Sequence, residues 1–300
     1  VRVEMLKMEG VYPALITPFT KDDEVDKEGL RRLVEYAIEG GVAGMVPCGT
    51  TGESATLSHE EHKEVIDTVV DCSTVPVIAG TGSNNTKEAV EFTKYAEDAG
   101  AEACLLITPY YNKPNVKGLK EHFKRIGDSV EIPLVLYNIP SRTGQNVSAA
   151  TMVELAAEIT NIKGVKEASG DLKQVGAIIK SVTERGLDFT VVAGDDFLTL
   201  PIMSLGGKGV ISVAANIAPK PMSEMVATML KGEMEKAKEI NIRLFSLFEA
   251  MFLETNPIPV KKAAEMMGLP AGHVRLPLGA LSEENEAKLR KVLEGFGMVG

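Results

Sequence analysis

Lys166 closes a short apolar run, Gly164-Val165-Lys166-Glu167-Ala168-Ser169-Gly170. An inward-facing amine at a strand's C-terminal end can capture a ketone carbon as a Schiff base, provided it is neutral. At an ordinary pKa near 10.4, on the order of one lysine in a few thousand is neutral at pH 7. The chemistry therefore needs burial or a nearby cation to lower that value. The competing reading is a strand-end lysine whose stem packs and whose head stays in water. Tyr137 can donate or relay a proton, or simply be a buried aromatic with a satisfied hydroxyl. Gly49-Thr50-Thr51-Gly52 offers backbone N–H groups and hydroxyls around one anion, or is an ordinary glycine-bounded turn. Arg142 can hold a carboxylate bidentately, or serve as a structural ion pair.

Other chemistries fit the sequence less well. The histidines are His59, His62, His122 and His273. The run His59-Glu60-Glu61-His62 is no metalloprotease motif, although two histidines three apart on a helix could share a metal; partly exposed polar positions are the simpler reading, and no metal is expected. No Walker A loop or Gly-x-Ser-x-Gly elbow is present, and Gly80-Thr81-Gly82 lacks the third glycine of a dinucleotide fingerprint. Cys48 adjoins the Gly49–Thr51 loop and could be reactive, but a small buried filler fits it better.

The elements that must carry these residues alternate. Strand-like runs are expected at residues 11–19, 44–48, 75–79, 103–108, 134–137, at the run ending on Lys166, and at 189–193 and 209–213. Helix-period segments follow each. One carries Leu30, Leu33, Val34, Ala37 and Ile38 before Gly40-Gly41; another starts on a Ser58/Glu61 capping box. Later helices are expected near 116–128, 149–159, 172–183, 197–205 and 219–230. Repeated βα units with short links imply parallel strands and right-handed crossovers. Eight such units in about 220 residues predict an α/β chain folded as a (β/α)8 TIM barrel, with an open doubly wound sheet as the rival. After Gly232 the rhythm changes to helices near 233–254, 260–267 and 283–296. The expected organisation is a catalytic barrel over residues 1–232 and a C-terminal helical appendage over 233–300. Strand ends then collect Thr17, the Gly49–Glu53 loop, Gly80-Thr81-Gly82, Thr108–Asn112, Tyr137–Gly144, Lys166, Gly194-Asp195-Asp196 and Ala214–Asn216.

Composition is that of a globular chain: 300 residues, 44% apolar, 25% charged, net charge −10. That balance argues against nucleic acid or an anionic membrane as a partner, without excluding an anionic substrate. Three separated cysteines without Cys-x-x-Cys suit a reducing compartment. No apolar run reaches the roughly 18 residues of a membrane span, and no signal-peptide core is visible. A cytoplasmic protein is expected. Val1 opens the chain with Met5 and Met8 close behind, so the start of translation stays open.

The ordered set Gly49-Thr50-Thr51-Gly52-Glu53, Thr108-Pro109-Tyr110-Tyr111-Asn112, Tyr137-Asn138-Ile139-Pro140-Ser141-Arg142-Thr143-Gly144, Lys166-Glu167-Ala168-Ser169-Gly170, Gly194-Asp195-Asp196 and Asn256-Pro257-Ile258-Pro259-Val260-Lys261 resembles the dihydrodipicolinate synthase family of pyruvate-dependent class I aldolases. The resemblance spans nearly the whole chain. It implies that Lys166 forms an imine with pyruvate and that the derived enamine attacks L-aspartate-4-semialdehyde, with no cofactor beyond that imine. Tyr137, Thr50 and Tyr111 match the family's hydroxyl proton relay, a sensible choice because hydroxyls both donate and accept. Tyr111 would come from a neighbouring subunit, which implies at least a dimer; the usual assembly is a homotetramer, a dimer of dimers. Thr51 matches a contact to the pyruvate carboxylate, Arg142 to that of the semialdehyde, and Gly194 and Ile211 to backbone lining the pocket.

A second set, Ser54, Ala55, His59, His62, Asn84, Glu88 and Tyr110, matches the positions that bind L-lysine in feedback-inhibited members. Glu88 offers a counter-charge for an ammonium, and Tyr110 adjoins Tyr111, so an occupant there could disturb the relay. The nearest alternative function is another pyruvate-forming aldolase, acting on N-acetylneuraminate or a 2-keto-3-deoxy sugar acid. A noncatalytic small-molecule-binding barrel is a further alternative, since fold does not fix function, as is a flavin- or nicotinamide-dependent barrel enzyme.

Overall fold

Seven short strands carry the sheet of this computed structural model, which describes residues 8–300. Met5 lies outside the described residues. The strands are β1 (Gly10–Pro13), β2 (Ile78–Gly80), β3 (Ala103–Ile107), β4 (Leu134–Asn138), β5 (Ile162–Glu167), β6 (Thr190–Ala193) and β7 (Gly209–Ser212). Their order in the sheet is β1-β7-β6-β5-β4-β3-β2, and the resolved ladders from β2 to β7 are parallel. Every residue of β2, β4 and β7 is buried, which is why these strands read as unbroken apolar runs instead of alternating ones.

The chain divides into two compact units. Among the described residues, one combines 8–10 with Ile78–Ile211; the other combines Val11–Val77 with Ser212–Gly300. In the first unit, strands β2 to β6 alternate with helices such as Thr86–Ala99, Val116–Gly127, Ala149–Glu158 and Leu172–Glu184. Each of these four starts on an Asn, Ser or Asp whose side chain accepts from a first-turn N–H, the cap that satisfies an otherwise orphaned donor. The expected helix near 197–205 is a 3-10 turn, Asp196–Leu198, running into the short helix Thr199–Ser204.

The second unit holds Lys27–Glu39, which buries Leu30, Leu33, Val34 and Ala37 as the sequence period predicts, while Ile38, expected in the same stripe, stays partly exposed. His59–Cys72 follows, with both halves of the Ser58/Glu61 capping box in place. The C-terminal helices are Met234–Ala250, Ile258–Met266 and Glu283–Gly295. The strand expected at 44–48 is reduced to two bridging residues: Val46 pairs with Ala14 and Met45 with Val77. The cause is local. Pro47 has no N–H to extend the ladder, and Cys48 turns into the left-handed region at φ 56°. The strand expected at 11–19 likewise stops at Pro13. No helix among the described residues is long and apolar enough to cross a membrane.

Candidate active site

In the first unit the chemistry gathers on adjoining strand ends. Lys166 is the penultimate residue of β5 and sits in register with Tyr137 of β4. Both are 5% exposed, and the Lys166 Nζ lies 4.2 Å from the centroid of the Tyr137 ring. Burial pushes the Lys166 pKa down to about 7; the Asp196 carboxylate resists that shift and the Arg142 guanidinium adds to it. A pKa near 7 leaves roughly half the amines neutral at neutral pH, about a thousandfold gain over an ordinary lysine. Of the two sequence readings of Lys166, the solvated one is excluded by this burial.

The neighbours of Lys166 are held in place by a network on the other side of the strand. Side chains alternate across a strand, so Glu167 faces away from Lys166. There its carboxylate accepts from Asn138 Nδ2 at 3.1 Å and from the Ser169 backbone N–H at 2.8 Å. Asn138 also donates to Asn146, which donates to Gln174. Gly194 follows β6, and its N–H donates to the Glu167 carbonyl at 2.8 Å. A Cβ at Gly194 would stand 3.1 Å from both Cγ and Cε of Lys166 and 2.7 Å from Ala168 Cβ. The contact with Ala168 is the one that excludes a side chain here, and the lysine stem tightens the same space. Ile211 is fully buried in β7. Arg142 is exposed on the short helix Pro140–Thr143.

Tyr111 lies on the turn that follows β3. It is 90% exposed and its backbone has φ 68°, a conformation uncommon for a residue with a side chain. The turn is clamped by two asparagines: Asn112 Nδ2 donates to the Asn84 carbonyl at 2.8 Å, and Asn84 Nδ2 to the Tyr110 carbonyl at 3.2 Å. Of the seven residues matched to the lysine set, Asn84, Glu88 and Tyr110 lie in this unit, and Glu88 accepts from the Ser83 hydroxyl.

The second unit contains the Gly49–Glu53 loop, bracketed by two residues in the left-handed region, Cys48 at φ 56° and Glu53 at φ 54°. Its backbone closes on itself through Gly52 N–H to Gly49 O at 3.1 Å and Glu53 N–H to Thr50 O at 3.1 Å. Gly52 is required here, because a Cβ would stand 2.9 Å from the Leu15 carbonyl oxygen. Thr17 Oγ1 donates to the Gly52 carbonyl at 2.7 Å. Thr50 is partly exposed and Thr51 buried. Asn256 Nδ2 donates to Thr51 Oγ1 at 2.9 Å, and the buried ion pair of Lys261 with Glu53 spans 2.7 Å.

Ser54 is partly exposed and Ala55 and His59 exposed, while His62 is buried on the core face of the helix that His59 opens. No group of three or more metal-binding side chains occurs among the described residues. Cys48 is 3% exposed and burial pushes its thiol pKa up, which makes it an inert filler.

Asp196, Asn256, the Glu53–Lys261 pair and the Glu167 network had no role assigned from sequence. One signal was available for Lys261: it is a cation on the apolar face of a helix, beside Val260 and Ala264.

Comparison with known proteins gives a consistent picture. A family model described as the Dihydrodipicolinate synthetase family matches residues 7–295. The 4-hydroxy-tetrahydrodipicolinate synthase of Methanosarcina mazei is 59% identical over 97% of this chain and 99% of its own length. Among solved structures, dihydrodipicolinate synthase from Acinetobacter baumannii complexed with pyruvate is 46% identical with TM-score 0.94, covering 98% of this chain and 100% of that one. The enzyme from Cyanidioschyzon merolae with lysine bound is 40% identical with TM-score 0.93, covering 97% and 99%.

Proposed function

The chain belongs to the dihydrodipicolinate synthetase family, and from that premise we propose that it is a 4-hydroxy-tetrahydrodipicolinate synthase of lysine (diaminopimelate) biosynthesis. It condenses pyruvate with L-aspartate-4-semialdehyde through a lysine Schiff base. The observation that carries this reading is the buried Lys166 amine, with its pKa brought down to about 7, over the ring of Tyr137.

Neutral Lys166 attacks the ketone carbon of pyruvate, and water leaves as the imine forms. Loss of a methyl proton gives the enamine, whose carbon attacks the aldehyde of the semialdehyde. Attack of the semialdehyde's own amine on the imine carbon then closes the ring and frees Lys166. Each step moves a proton to or from a heteroatom, the task of the hydroxyls of Tyr137, Thr50 and Tyr111. Tyr111 serves the site of a neighbouring subunit, a role supported by its exposure and its left-handed backbone. Thr51 binds the pyruvate carboxylate, Arg142 that of the semialdehyde, and Gly194 and Ile211 line the pocket with backbone. No cofactor takes part beyond the covalent imine.

The fold is a (β/α)8 barrel over residues 1–232, with the bridging pair Met45-Val46 as its second strand, followed by a helical domain over 233–300. The protein is a cytoplasmic homotetramer, a dimer of dimers. L-Lysine binds Ser54, Ala55, His59, His62, Asn84, Glu88 and Tyr110, a reading supported by the lysine-bound relative. The test of the reaction is turnover. Pyruvate with L-aspartate-4-semialdehyde is consumed; preferential cleavage of N-acetylneuraminate or a 2-keto-3-deoxy sugar acid would overturn the assignment.

A further inference from the structure

Thr51 is held by a residue far along the chain. Its hydroxyl is buried and accepts from Asn256 Nδ2 at 2.9 Å, across a sequence separation of 205 residues. A threonine hydroxyl has one proton to donate and two lone pairs to accept with. With one lone pair occupied by an amide N–H, the proton is directed elsewhere. A carboxylate can only accept, so a hydroxyl that is to bind one must present its proton and not a lone pair.

We propose that Asn256 is a positioning residue that sets the polarity of the Thr51 hydroxyl, filling a lone pair so that the O–H donates to the bound carboxylate. The inference rests on the reading of Thr51 as the contact to the pyruvate carboxylate. The loop is held at a second point nearby. Five residues beyond Asn256, the Lys261 ammonium donates to Glu53 Oε1 at 2.7 Å and to the Thr17 carbonyl at 3.0 Å. Thr17 in turn donates to the Gly52 carbonyl at 2.7 Å. The Asn256–Lys261 segment thus grips the loop at Thr51 and at Glu53, two residues apart, and removing the amide leaves the second grip intact.

The test is a mutant cycle read in the KM for pyruvate and in kcat, with folding checked by circular dichroism. Asn256→Ala is expected to raise the pyruvate KM about five- to tenfold, the range set by one ordinary hydrogen bond, with kcat within about twofold. Asn256→Asp, which can only accept and so takes the Thr51 proton for itself, is expected to raise KM further. In a Thr51→Val background, Asn256→Ala is expected to change KM by less than about twofold, since the group it acts through is gone. Equal effects of Asn256→Ala in both backgrounds, or an Asp variant no worse than the Ala variant, would overturn the inference while leaving the carboxylate reading in place. A Thr51→Val enzyme with unchanged pyruvate KM would overturn both. If the Asp variant does not fold, the alanine cycle alone decides.

Discussion

Lys261→Met is the substitution whose cost follows most directly from the geometry. The Lys261 ammonium is closed off from solvent, with side-chain exposure of 2% for Lys261 and 1% for Glu53. It donates to Glu53 Oε1 and to the carbonyls of Thr17 and His273, and stands 4.2 Å from the Phe19 ring centroid. Burial lowers its pKa and the Glu53 carboxylate opposes that shift. A thioether of similar length fills the space but supplies no donor. Glu53 would then keep only the Arg275 backbone N–H at 2.9 Å among the contacts described, and the buried Thr17 carbonyl and the part-buried His273 carbonyl would each lose this donor. Breaking a buried pair by removing one charge costs about 3–5 kcal/mol. At roughly 2 °C per kcal/mol for a large chain, the midpoint of thermal unfolding should fall by about 6–10 °C. Glu53→Gln added to Lys261→Met removes the stranded charge and should recover at least half of that loss. Scanning calorimetry on the assembled protein reads both values. A single variant within about 2 °C of wild type, or a double variant as unstable as the single, would refute the reasoning.

Other outcomes follow from the same contacts. Burial holds the Lys166 pKa at about 7 against an ordinary 10.5, so the folded state binds fewer protons than the unfolded state between those values, and this group's contribution to stability rises with pH across that window by about 1.4 kcal/mol per unit. Below pH 7 both states are protonated and the full penalty of a buried charge remains. Lys166→Met should therefore unfold at a higher temperature than wild type at pH 6, with the gap closing towards pH 10; a gap independent of pH would contradict this. Gly194→Ala places a methyl 2.7 Å from the Ala168 Cβ and 3.1 Å from the Lys166 stem, so the end of β5 must shift, and displacing the proposed nucleophile in this way loses on the order of a hundredfold in kcat/KM. Full activity in that variant would mean the lysine is not held as described. L-Lysine at millimolar concentration should inhibit turnover, with Glu88→Gln weakening the inhibition; an enzyme indifferent to millimolar lysine would remove the proposed second site.

What could be read without coordinates was mostly local. The strand carrying Lys166, which runs one residue further to Glu167, the Ser58 capping box and all of the Leu30, Leu33, Val34, Ala37 and Ile38 stripe but its partly exposed last member are short-range patterns that are present. Residues 44–48 misled because an apolar run says nothing of hydrogen bonding; Pro47 and the left-handed Cys48 end the ladder there. The supports of the Thr50–Thr51 loop were hidden for another reason. Asn256 and Lys261 meet Thr51 and Glu53 across 205 and 208 residues, and only the fold brings such partners together. Glu167 was equally opaque: its carboxylate is satisfied by Asn138 and by the Ser169 N–H, a pairing that sequence periodicity does not encode. The lowered pKa of Lys166 needed coordinates as well, since burial dominates it.

Borohydride reduction of the protein with pyruvate, followed by peptide mass mapping, bears most directly on the nucleophile. One pyruvate-derived adduct per chain is expected, on the peptide carrying Lys166, with buried Lys261 unlabelled and with no adduct in Lys166→Met. An adduct on a different lysine, or a Lys166→Met protein that still condenses pyruvate with the semialdehyde, would contradict the account.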